Sequence, residues 1–208
     1  TWGLVTNAKA GQLARADSWS NPPGGWDLTF SESIKIDFAG ERTYYVALKA
    51  GCIGSEGNFD IAFDNISLIK NDATQDELLL NGGFGSDEGW TQMKIGGNIA
   101  VDYNSTASIN PKLRFYRSSG ISYANGVVYQ PVTLTGGQRY TLGGDFKDNG
   151  SLKSWAVVYL LETEPQKWHD IRRDRKELDF ENDSKETIQS MWSSYGTKDY
   201  EIHDALQY

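Results

Sequence analysis

Short runs of alternating polar and apolar residues, each closed by Gly, Asn, Asp or Ser, recur along the chain and constrain it most, because they fit twisted β-sheets. Ser33-Ile34-Lys35-Ile36-Asp37-Phe38 alternates as a half-buried strand does. Ala39-Gly40-Glu41-Arg42 is a turn by composition, and Thr43-Tyr44-Tyr45-Val46-Ala47-Leu48 follows, so the pair reads as a hairpin. A third strand is expected from Asn58 to Ile69. Phe59, Ile61 and Phe63 share one of its faces, and Ile66 and Leu68 share a face beyond Asp64-Asn65, where a bulge would shift the register. Lys112 to Tyr116, Gly126 to Leu134, Arg139 to Phe146 and Trp155 to Leu161 read as further strands, as does the opening Thr1-Trp2-Gly3-Leu4-Val5.

A chain of 208 residues, 38% hydrophobic and 23% charged, can bury the core of one large domain or two small ones. Its 22 Gly, 7 Trp and 11 Tyr suit turns and sheets better than helices. The net charge of −8 repels phosphate backbones, so nucleic acid is not an expected partner. No apolar run approaches the roughly 18 residues that a membrane span needs. The start reads directly as a strand, which implies a signal already removed or a cut from something longer. Cys52 is the sole cysteine and has no partner for a disulfide or a metal site; a half-buried structural thiol at a strand end is expected.

Residues 70–77 are polar and read as a linker. Beyond Lys167 charges are dense. There Ser184 suits a helix cap, and Ile188, Met191 and Trp192 recur at spacings of three and four, predicting a short amphipathic helix near the C-terminus. A faint internal repeat relates 30–44 to 129–140, each a strand, a Gly turn and an aromatic strand.

Leu78-Leu79-Leu80-Asn81-Gly82-Gly83-Phe84, followed by Gly89-Trp90, resembles the opening of the galactose-binding-like jelly rolls, in particular the carbohydrate-binding modules of the family 4/9/22 type. Val128-Tyr129-Gln130 to Tyr140 resembles their middle hairpin. Tyr44 to Leu48 and Ile61 to Leu68 resemble their closing strands. The resemblance implies an all-β jelly-roll β-sandwich, here with the closing motifs first. Residues 1–70 are read as the closing half of a module, 71–77 as the linker, and 78–208 as the opening half with a charged loop and helix tail. The halves belong to a tandem array, or they complete one another as a permuted or swapped sandwich. An ordered chain is expected to pack them together, since a lone half would leave edges and an apolar face bare.

The resemblance also implies sugar binding by aromatic faces, with polar groups on the hydroxyls. Trp2, Trp26, Trp90 and Trp155 lie in or beside strands and are read as core. Trp19, Trp168 and Trp192 are the candidate stacking platforms, with Asp17, Asn21, His169 and Arg172 as hydrogen-bonding neighbours. A structural Ca²⁺ between the opening turn and the final strand is implied, with Asp64 as one ligand. Gly85 stands where the family carries Glu, leaving Asp87 and Glu88 as substitutes.

Catalysis has little support. Glu162, Glu164, Asp170, Asp174 and Asp179 are dispersed in charged sequence, His169 and His203 are not at metal spacing, and Gly82-Gly83 and Gly143-Gly144 read as strand-end turns rather than phosphate loops. Arg172 to Lys176 is a basic cluster on a solvated face. The expected function is glycan (polysaccharide or oligosaccharide) binding by an extracellular or surface module. A structural or adhesive protein-binding sandwich and a glycoside hydrolase fragment are the alternatives.

Overall fold

The computed structural model of the chain describes residues 2–4, 16–18, 26–36, 38–52, 59–103, 112–117, 124–148, 154–161, 164–165 and 187–193. These form β1 (Trp2–Leu4), β2 (Ala16–Ser18), β3 (Trp26–Lys35), β4 (Glu41–Cys52), β5 (Asp60–Lys70), β6 (Thr91–Gly97), β7 (Ile99–Asp102), β8 (Leu113–Arg117), β9 (Ala124–Thr135), β10 (Arg139–Asp148), β11 (Ser154–Leu161) and β12 (Thr187–Ser193). The strands make two sheets, a seven-stranded one ordered β1-β2-β12-β11-β4-β9-β6 and a five-stranded one ordered β3-β10-β5-β8-β7. Strands from before and after residues 71–77 are interleaved in both. β4 lies between β11 and β9, and β5 lies between β10 and β8.

β3 and β4 do not form the expected hairpin. β3 pairs along its length with β10, and β4 with β9, so the two connected strands lie in different sheets. The same holds for β9 and β10. Together they form one long antiparallel ribbon that folds across the core at Ile36, residues 38–40 and residues 136–138. Sequence could not separate the two outcomes, because a hairpin and a crossing corner share the pattern of strand, glycine, strand. Backbone bonds seal the corner: Ile36 N donates to Gln138 O (3.0 Å), Gly137 N to Ile36 O (2.8 Å) and Gly136 N to Gly40 O (2.7 Å). Gly40 and Gly137 adopt φ of +79° and +77°, and a Cβ on Gly136 would lie 1.8 Å from Phe38 O. The faint repeat marks the two strands of this ribbon at its corner.

Alternation along the strands sends one face of each sheet into a common core. Val46 and Leu48, Val128 and Leu134, and Val158 and Leu160 meet Phe30, Ile61, Phe63, Leu68, Phe115 and Leu142 from the other sheet. Burying each such side chain contributes about 1.5–3 kcal/mol. Phe59, Ile61, Phe63, Ile66 and Leu68 are all buried, as their spacing predicts. The expected bulge is present. Gly143 pairs Ser67 while Asp145 pairs Asp64, so β5 carries one extra residue there, and Asn65 takes φ of +51°.

Gly143-Gly144 stands in the middle of β10, not at a strand-end turn. The glycines are needed there for space. A Cβ on Gly144 would lie 2.4 Å from Ile66 Cδ1 and 3.0 Å from Phe30 Cε1. The expected C-terminal helix is also overturned, since residues 187–193 are β12, paired antiparallel with β11. One short amphipathic stretch cannot sustain an isolated helix, whereas the edge of β11 offers backbone partners to a segment holding Thr, Ile and Trp. The proposed cap Ser184 lies outside the described residues.

The 71–77 segment is a hydrogen-bonded turn. Lys70 N donates to Asp76 O (2.9 Å) and Leu78 N to Leu68 O (2.9 Å). Glu77 Oε1 accepts from the backbone N–H of Leu68 (2.8 Å) and of Leu79 (2.9 Å). The Asn81-Gly82-Gly83-Phe84 turn docks onto β5 through Ile66 N, which donates to Gly82 O at 3.0 Å. Trp90 is core, as read: it packs on Phe84 at 5.1 Å and donates from Nε1 to Asn81 O. Cys52 is fully buried, with Arg117 Nη2 donating to Sγ at 3.0 Å. Among the described residues no helix is long and apolar enough to cross a membrane.

Candidate functional site

The outward faces of the two sheets differ in chemistry. On the five-stranded sheet, strand pairing lines polar residues into cross-strand rows about 6.6 Å apart, two residues of extended chain. Thr29, Asp145 and Asp64 form the first row, Ser31, Gly143 and Ser67 the second, and Ser33, Thr141 and Ile69 the third. The middle row has only two hydroxymethyl groups and a glycine. It is therefore the floor of a shallow trough across β3, β10 and β5, with longer side chains at Thr29, Asp145 and Asp64 on one side and at Thr141 and Ile69 on the other. Thr29, Ser31, Ser33 and Asn65 are exposed, and Asp64, Ser67, Thr141 and Asp145 are half-buried.

The first wall is held by the bulge. Asn65 Nδ2 donates to Asp145 Oδ2 at 2.7 Å, and Asn65 N donates to Asp64 Oδ1 at 2.8 Å. Thr29 Oγ1 donates to Asp145 Oδ1 at 2.5 Å. Burial, then the neighbouring Asp145 charge, holds the Asp64 carboxyl above its usual range, against the opposing pull of the Asn65 N–H and of Lys112. On the second wall the Asn71 amide brackets Thr141 Oγ1, donating to it at 2.9 Å and accepting from it at 3.0 Å. Beyond β5, Arg114 forks onto Asp60 at 2.9 and 2.7 Å and lies 4.4 Å from the Tyr116 ring centroid. Tyr116 donates to Asp102 at 3.3 Å. Among the described residues the face offers hydroxyls, carboxylates, the amides of Asn65 and Asn71, the Arg114 guanidinium and the Tyr116 ring, which are groups that bond and flank a polyhydroxylated ligand.

The outward face of the seven-stranded sheet is aromatic and covered. Ala47, Val127, Tyr129, Tyr159 and Leu161 form a second apolar cluster, with Tyr45, Met93 and Ile95 at its margin. Lys49 is buried beside it at 1% exposure. Tyr45 meets Tyr129 edge-on at 6.2 Å, and Tyr129 donates to Glu164 Oε1 at 2.8 Å. Burial, then that carboxylate, pushes the Tyr129 hydroxyl up to about 12. Glu164, one of the carboxylates weighed for catalysis, is therefore a structural partner here.

Of the residues expected to bind ligand, Trp19, Asn21, Trp168, His169 and Arg172 lie outside the described residues. Trp192 and Asp17 are placed by backbone alone. Trp192 stands opposite Trp155 on β11, and Asp17 follows Ala16, which pairs with Met191. The pairing thus sets Asp17 and Trp192 on adjacent strands at one end of the seven-stranded sheet, away from the trough. Asp145, Asn65, Thr29, Tyr116 and Arg114 were missed. No local signal carried them, since their grouping comes from cross-strand pairing at long sequence separation.

The residues do not fit the implied Ca²⁺. Asp64 has Asp145 and Lys112 as its charged neighbours, whereas Asp87 acts on Tyr103. Among the described residues no three acidic, His or Cys side chains gather to hold an ion. Asp64 with Asp87 and Glu88 is therefore not one donor set.

Comparisons of the chain with protein families, characterised proteins and solved structures found no match.

Proposed function

We propose that this chain is a non-catalytic, glycan-binding β-sandwich module of the galactose-binding-like jelly-roll kind, displayed outside the cell, and that it takes its ligand in the trough on the five-stranded sheet. The observation that carries the reading is the row Ser31, Gly143 and Ser67, a floor of minimal side chains between two walls of fixed hydrogen-bonding groups. Carboxylate and amide groups held by neighbours accept and donate to sugar hydroxyls with little ordering cost. The folded ribbon of β3-β4 against β9-β10 supports the jelly-roll assignment, because winding such a ribbon over a core is how two sheets come to share connected strands. A hydrolase reading would use Asp64 and Asp145 as acid and base. It is weaker, because Asn65 bonds to both carboxylates and ties them together in one wall rather than leaving them to face each other across a bound bond.

Affinity electrophoresis against a panel of neutral and charged soluble polysaccharides tests the proposal. Retardation by one or a few glycans, lost in Asp145→Ala with the fold intact by circular dichroism, is the expected result. Retardation by none, or retardation untouched by Asp145→Ala, would remove the trough from consideration.

A further inference from the structure

We propose that two copies of this chain associate through antiparallel pairing of β3 with β3, joining their five-stranded sheets into one. No strand among the described residues lies beyond β3 at that edge. Thr29, Ser31, Ser33 and Lys35 along it are exposed, and β3 has no proline or bulge to blunt it.

The backbone restricts how two such edges can meet. Ile36 exchanges both of its backbone bonds with the β9-β10 corner, through Gln138 O and Gly137 N. Alternation then turns the N–H and C=O groups of the even residues of β3 toward β10, and those of Asp27, Thr29, Ser31, Ser33 and Lys35 toward the open edge. An antiparallel ladder pairs hydrogen-bonding residues with each other, so odd positions must oppose odd positions. Full overlap of residues 26–35 with themselves breaks that rule. Two near-complete registers obey it, one pairing 27–35 with itself and the other 26–34 with itself.

Charge chooses between them. The first register sets Asp27 opposite Lys35 of the second copy at both ends, Thr29 opposite Ser33, and Ser31 opposite its own copy at the centre. Leu28 then opposes Ile34. Opposite charges and paired hydroxyls across strands are favourable contacts. The second register sets Asp27 against Ser33 and leaves Lys35 outside the paired residues, so neither charged end finds a complement. The dimer would also set two troughs side by side, which raises avidity for a long polymer. The association itself does not depend on what the trough binds.

Sedimentation velocity over a concentration series of the whole chain tests this. The expected mass rises from 23.2 kDa toward twice that value. Ser31→Pro removes an edge-facing N–H that no strand among the described residues pairs with, so it should keep the β-sheet circular dichroism and stay at the single-copy mass. Asp27→Lys should weaken the association, and adding Lys35→Asp should restore it. A wild type that stays at 23.2 kDa throughout overturns the proposal, as does a dimer that ignores both Ser31→Pro and Asp27→Lys. If Ser31→Pro fails to fold, the charge swap decides alone.

Discussion

Asp145 of β10 stands opposite Asp64 of β5, and Asn65, the extra residue of the β5 bulge, bonds to both carboxylates. One local irregularity in a strand thus creates the wall of the candidate site. An unbulged β5 would carry Asn65 to the core-facing side and break the apolar set of Phe63, Ile66 and Leu68.

Asp64 should cost stability when ionised. Its folded pKa is raised above the unfolded value of 3.8, so its favourable contribution is complete below that value and is lost as pH rises through the folded pKa. Asp64→Asn should therefore melt higher than wild type at neutral pH, and the gain should vanish on acidification below the ordinary carboxylate range. Thermal melts across pH measure this; a gain that persists in acid would show another cause.

The glycines of β10 and of the opening turn should differ in tolerance. A Cβ on Gly144 meets the tips of Ile66 and Phe30, which can yield, so Gly144→Ala should cost about 1–3 kcal/mol. A Cβ on Gly82 would lie 1.8 Å from the backbone oxygen of Ile66, which cannot yield. Gly82→Ala should cost more, as read by urea unfolding.

Gln130 ties the opening turn to β9. It accepts from Leu80 N at 2.7 Å and donates to Leu80 O at 3.0 Å, while 3% exposed. Gln130→Ala should cost about 2–3 kcal/mol, because it leaves both backbone groups without their buried partner. An unchanged urea midpoint would mean that water replaces the amide.

Two tyrosines should resist ionisation. Burial pushes Tyr103, near Asp87, and Tyr129, on Glu164, each up to about 12. Ultraviolet titration should show slow-rising absorbance beyond that of ordinary tyrosines. Tyr129→Phe should remove one late-titrating tyrosine from the curve.

Much of the fold was legible because the apolar period of two is local. The bulge at Asp64-Asn65, the buried face of β5 and Trp90 as core all followed from spacing and composition. β6 was missed, although Met93 and Ile95 alternate with polar neighbours, because glycines break the pattern at Gly96-Gly97. Strand partners were not legible. Alternation in β3 and β4 is the same whether they form a hairpin or cross between sheets, and the partners that decide it, β10 and β9, lie far away in sequence. The trough was invisible for the same reason, since Thr29 lies 116 residues from Asp145 in sequence and meets it only through β3-β10 pairing.

The central claim is that ligand lies along the row of Ser31, Gly143 and Ser67. Amide chemical-shift mapping with an oligosaccharide of the retained polysaccharide tests it most directly. The account predicts the largest shifts at Ser31, Gly143, Ser67 and Asn65. Shifts confined to the seven-stranded sheet, at Tyr45, Met93 or the β11-β12 pair, would contradict it.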